Sequence, residues 1–201
     1  MPNWCQTRMQ IACQNTVIAE DLLAKIKDWV SSEKMETDFG RNWLGNIVLG
    51  AKIGTIDEGK DTDIECRGWL DDVYTDGSTV EVWTLTAWTP KMRMWKLIVD
   101  KYAPGAKITY EAVEDGCVVH WTNNPQLVGC YYFVNEFECE SDVTEEALRE
   151  YLQTSLNTDE SDLGKLISDF EEIGIGFVCK WNMIPLDELC REEEQNALAH
   201  S

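Results

Sequence analysis

Basic residues are scarce in this chain. Its 201 residues include 17 Lys and Arg against 37 Asp and Glu, a formal net charge of −20. A surface of that sign repels phosphate backbones and anionic membranes at long range, so direct nucleic-acid binding is excluded as the main role. Histidine is rarer still, with only His120 and His200, which leaves little for general-base chemistry. The eight cysteines (Cys5, Cys13, Cys66, Cys117, Cys130, Cys139, Cys179 and Cys190) include no CxxC pair. That spacing argues against a structural zinc site, which wants paired ligands close together. No apolar run reaches the roughly 18–20 residues of a membrane span. The opening Met1-Pro2-Asn3-Trp4-Cys5-Gln6 has neither the basic start nor the apolar stretch of a signal peptide. Gly45, Gly50 and Gly54 do not form a phosphate-cradling loop, and the aromatic pattern of RNA-binding sheets is missing. The sequence therefore calls for no cofactor and no metal.

What is present is a core. Hydrophobic residues make up 44% of the chain, and nine are tryptophan, which argues against wholesale disorder. Several cysteines sit in apolar surroundings, such as Gly129-Cys130-Tyr131-Tyr132 and Val178-Cys179-Lys180-Trp181. They read as reduced thiols used as small hydrophobes, which points to a reducing cytoplasm.

Along the chain, residues 3–13 alternate as a strand, and Asn15 or Thr16 caps a helix over about 18–33. Leu22, Leu23, Ile26, Trp29 and Val30 form its apolar stripe. Residues 35–63, with five glycines, read as an insertion or long loop with one short helix. Strands follow at 64–74 and 79–88, joined by the turn Thr75-Asp76-Gly77-Ser78. Pro90 opens a helix with Met92, Trp95, Ile98, Val99 and Tyr102 inward, and 107–114 is a further strand. Residues 117–122 and 127–139 are expected to extend the same sheet. The order βαββαβ predicts an α+β fold of ferredoxin-like type, an antiparallel sheet with helices on one face. Helices at 144–156 and 161–173, capped by Thr144 and Ser161, a strand at 175–183 and a last helix after Pro185 complete the reading.

The opening Met1-Pro2-Asn3-Trp4-Cys5 resembles the start of the YubB-like proteins of bacteriophages and plasmids. Leu85-Thr86-Ala87-Trp88-Thr89-Pro90, the helix ending near Tyr102-Ala103-Pro104, and Tyr110-Glu111 to Glu114-Asp115-Gly116 are similar to that family's central signature. The likeness covers residues 1–122. It implies a ferredoxin-like domain and a mobile-element origin, with no activity or catalytic residue to carry over. Gln6-Thr7 departs from the Ser-Asn that family members often place after Trp-Cys. The segment after residue 135 lies outside the likeness. Trp4 is expected to anchor the first strand in the core.

Charge divides the chain. From Glu136 onward there are 18 acids and 4 bases, whereas residues 1–135 hold 19 and 13. This predicts a core over 1–135 and an acidic α/β part over 136–201 packed on it. On a strand, Glu136, Glu138 and Glu140 line one face about 6.7 Å apart. Asp142, Glu145 and Glu146 stand at the next helix start, and Asp159, Glu160 and Asp162 at another, where the helix dipole favours anions. Glu171 and Glu172 extend the field, as do Asp187, Glu188, Glu192, Glu193 and Glu194. Such an array can imitate a phosphate backbone and compete for Lys- and Arg-lined channels; equally, it can be the ordinary solvated face and capping of helices. The expectation is a non-enzymatic inhibitor docking on a basic host protein. A nucleic-acid-handling defence enzyme of restriction or CRISPR type is the natural target, which would make the chain a DNA mimic. Two alternatives stand beside it. One is a small enzyme with its site in the 35–63 loop or beside His120, with Cys117 or an acid as partner. Asp57, Glu58, Asp61, Asp63 and Glu65 offer oxygen ligands that suit a hard cation, but they read most simply as the solvating charges of a loop. The other alternative is a homo-oligomer joined through tryptophans such as Trp43 or Trp69.

Overall fold

The structure is a computed structural model that describes residues 3–31, 40–57, 60–61, 64–114, 119–135, 139–174 and 176–199. The chain is α+β and forms two compact units, one of residues 1–123 with 184–201 and one of residues 124–183.

The larger unit is built on β1 (Trp4–Ala12), β4 (Gly68–Asp76), β5 (Thr79–Ala87), β6 (Lys107–Glu114) and β7 (Val119–Thr122), in the order β7-β6-β1-β5-β4 and antiparallel throughout. β1 lies at the centre, paired with β5 on one side and β6 on the other. Its alternation is strict: Cys5, Thr7, Met9 and Ile11 are buried, whereas Gln6, Arg8 and Gln10 face the other way. The Asp76-Gly77 turn forms as expected, with Gly77 at φ 58°.

Four helices cover the buried alternation. They are α1 (Thr16–Ser31), α2 (Leu44–Ala51), α3 (Met92–Tyr102) and α6 (Leu186–Ala199). Asn15 caps α1 by accepting from Ile18 N at 3.0 Å. Leu22, Ile26, Trp29 and Val30 of α1 join Ile47 and Val48 of α2, Trp95 and Ile98 of α3, and Leu189 of α6 in one core. The short helix expected in the 35–63 insertion is α2, which packs closely on α1. A Cβ on Gly50 would sit 2.4 Å from the Trp29 ring, so only glycine fits there. Two two-residue strands, β2 (Ile56–Asp57) and β3 (Lys60–Asp61), follow it as a hairpin.

Two tryptophan expectations are corrected. Trp4 does not enter this core; Cys5 does, and the Trp4 ring packs on Trp69 with centroids 5.0 Å apart. Trp43 is buried at 4% exposure and presents no patch, whereas Trp69 is on the surface.

The smaller unit contains β8 (Tyr131–Asn135), β9 (Cys139–Val143), α4 (Glu145–Leu156), α5 (Leu163–Glu172), β10 (Gly176–Lys180) and β11 (Asn182–Met183). Its sheet has the order β10-β8-β9, and Tyr131, Phe133, Leu148, Leu152, Leu166, Phe170 and Val178 form its core. The expectation that 127–139 would join the first sheet is therefore corrected. Pro125–Leu127 is a 3-10 turn that breaks the run, and β8 has its own apolar partners in α4 and α5. The charge step at residue 135 and the unit boundary at 123 do not coincide. The last helix, acidic in composition, belongs to the larger unit, because cores set unit boundaries and surface charge does not.

Candidate functional site

The smaller unit concentrates negative charge. Residues 124–183 hold 13 acids and 3 bases. All three cations have local partners: Arg149 pairs with Glu145 at 2.8 Å, Lys165 with Asp169 at 3.1 Å, and Lys180 lies over the Tyr131 ring.

The expected carboxylates divide into two groups. The first serves local structure. Thr144 caps α4 as expected, accepting from Ala147 N, and Glu145 in its first turn is held by Arg149. Asp162, not Ser161, caps α5, its Oδ1 accepting from Lys165 N at 3.0 Å. Glu160 accepts from Asp162 N and Ser161 N, and those two donors hold its carboxyl below the usual range. Glu171 accepts from Val178 N at 3.1 Å. The second group is free of such duties. Glu140, Asp142, Glu146, Asp159 and Glu172 are exposed, and their carboxylates make no hydrogen bond or ion pair among the described residues. Glu140 and Asp142 are two residues apart on β9, an edge strand of the three-stranded sheet. Acids on an edge also resist pairing with a second edge. Glu136 and Glu138 lie outside the described residues, as do Cys117, His200, Glu58 and Asp63.

Burial separates the acids of the last helix from this field. Glu193, expected at the surface, is 6% exposed. Its carboxylate accepts from Met92 N at 3.0 Å and Arg93 N at 2.7 Å, so α6 caps α3, whose own N-cap Lys91 supplies no side-chain bond. Burial pushes Glu193 up from 4.5 to about 7, against the pull of those two N–H groups and of Lys91. Glu194 pairs with Arg93 at 3.1 Å. The signal was legible in the register, since Leu186, Leu189, Cys190 and Glu193 share one helical stripe. Nearby, buried Lys91 donates to Glu65 at 2.6 Å, which removes Glu65 from the acids of the 57–65 stretch. Glu114, opposite Cys5 in the β1–β6 register, is 1% exposed, and neither of its oxygens has a hydrogen-bond partner among the described residues. Burial also pushes the Cys5 thiol up to about 12, which makes it a poor nucleophile. His120 is buried in β7 opposite Val113. Among the described residues no group of three or more His, Cys, Asp or Glu gathers to hold a metal ion. No helix among them is long and apolar enough to cross a membrane.

No family model matches the chain, and neither a curated protein nor a solved structure matches it.

Proposed function

We propose that this is a non-enzymatic acidic binding protein of a phage or plasmid. It docks the smaller unit on a basic surface of a host nucleic-acid-handling or defence protein. One observation carries the reading: in the smaller unit every cation is locally engaged, while Glu140, Asp142, Glu146, Asp159 and Glu172 are exposed and unpaired among the described residues. Unpaired carboxylates keep their full field for a partner's lysines and arginines, where paired ones do not. The strand order β6-β1-β5-β4 supports the ferredoxin-like reading of the larger unit, because it is the order of a split βαβ repeat with an added strand, β7, beside its last strand. Enzymatic use of His120 gains no support from a side chain at 5% exposure, since a general base must reach a substrate proton.

The test is capture from a bacterial lysate at low salt, with elution by increasing salt and competition by duplex DNA. Nucleic-acid-binding proteins released by either treatment are expected. Capture that duplex DNA does not compete would contradict a surface that imitates DNA.

A further inference from the structure

On the face of the larger sheet opposite to that of Cys5, Met9 and Ile11, β4 and β5 carry aromatic residues that the core does not use. On β4 and β5, Trp69, Tyr74 and Trp83 are 36%, 41% and 37% exposed. The strand registers put them in rows across the sheet. Trp69 is in register with Leu85 and then Gln6; Asp72 with Trp83, Arg8 and Glu111; Tyr74 with Glu81 and Gln10. In these rows three acids, Asp72, Glu81 and Glu111, accompany one base, Arg8.

That base shows what the face holds well. The Arg8 guanidinium lies over the Trp83 ring at 5.4 Å and 3.4 Å from the Glu81 carboxylate. An indole face with a carboxylate beside it suits a guanidinium, which stacks and hydrogen-bonds in one plane. Along β4, Trp69 and Tyr74 stand on either side of Asp72, past a bulge between Leu70 and Asp72, and Asp72 Oδ1 accepts from Val73 N at 2.7 Å.

A second observation points the same way. Trp88, which follows β5 at the end where Ala87 pairs with Trp4, is 50% exposed and has φ at +69°. A bulky side chain in that region is strained, and strain of this kind gathers at functional positions. Trp88 N donates to Asn3 O at 2.8 Å, which holds the backbone there. Burial does not account for an indole half in solvent.

We propose that this face binds an arginine-bearing segment of a partner protein, with Trp69, Tyr74 and Trp88 stacking on guanidinium groups and Asp72 supplying charge. It is a second contact surface, independent of the acids of the smaller unit. The sign of the face disfavours single-stranded nucleic acid, which also stacks on exposed aromatics.

The test follows indole N–H resonances, assigned by single substitution, while the full chain is titrated with a hexa-arginine peptide. Those of Trp69 and Trp88 are expected to shift together and saturate, and a hexa-lysine peptide should bind more weakly. Trp69→Ala with Tyr74→Ala should weaken the arginine peptide by roughly five- to thirtyfold, as loss of two cation–π contacts requires. Because Trp69 packs on Trp4, Trp88→Gly serves as the variant that keeps the fold. It should weaken binding while leaving thermal stability equal or higher, since glycine relieves the positive φ. A purely structural Trp88 would give the opposite pattern, lower stability with unchanged binding. Four lysine reversals in the smaller unit, at Glu140, Asp142, Asp159 and Glu172, should leave these indole shifts intact, so failure here and failure of the proposed function are told apart. The proposal is overturned if the indoles stay fixed while peptide binds, if an oligothymidine moves them instead, or if the chain is a dimer that Trp83→Asp dissociates.

Discussion

Glu193 is the residue whose chemistry is most tightly bound to the fold. Its carboxyl is buried at the N-terminus of α3, facing the Met92 and Arg93 N–H groups, with Lys91 and Glu65 the charges that act on it. Its folded value, about 7, lies above the ordinary 4.5. The folded chain therefore keeps a proton that the unfolded chain releases. The contribution of Glu193 to stability is full below pH 4.5 and falls as pH rises through about 7. Glu193→Gln does not titrate, so wild type should lose about 3 kcal/mol relative to the variant across that window. Denaturant melts of both proteins at a series of pH values measure this, and a constant difference would contradict it. Glu114 offers a simpler case. Its two oxygens are buried without hydrogen bonds among the described residues, so Glu114→Leu should stabilise the chain by about 1–3 kcal/mol, the cost of an unsatisfied buried polar group. Destabilisation on thermal unfolding would show that the carboxylate is held.

At the scale of elements, the cap of α5 separates a motif from its neighbour. Asp162→Ala should cost about 1 kcal/mol and Ser161→Ala close to nothing, read from denaturant midpoints. The reverse order would restore Ser161 as the cap. The sequence pointed to a cap within one residue here, and it placed most elements of the larger unit well. The strong alternation of 79–88 and 107–114 became β5 and β6, and the apolar stripe of 18–33 became α1. Periodicity reports which face of an element is buried, so those elements were legible. It does not report which sheet a strand joins. β8 looked like a continuation of the first sheet because its apolar residues alternate in the same way, yet they pack on α4 and α5. Trp4 misled for a related reason. Tryptophan is common both in cores and on sheet faces, and only the parity of Cys5, Met9 and Ile11 decides between them.

For the whole molecule, the acidic surface was legible as composition and only partly as geometry. Charge counted along the chain placed the excess after residue 135, but burial withdrew Glu193, ion pairing occupied Glu194 and Glu145, and backbone donors occupied Glu160, Asp162 and Glu171. No count of residues carries that information, because it depends on which N–H groups and cations each carboxylate meets. What remains is a smaller set of exposed acids on the second unit, and the reading of the protein as a DNA-mimicking binder rests on them. The most direct measurement compares wild type with the quadruple variant Glu140→Lys, Asp142→Lys, Asp159→Lys and Glu172→Lys in capture from a bacterial lysate at low salt. Wild type is expected to retain nucleic-acid-binding proteins that duplex DNA displaces, and the variant, folded by circular dichroism, to retain none. Equal capture by wild type and variant would contradict that reading.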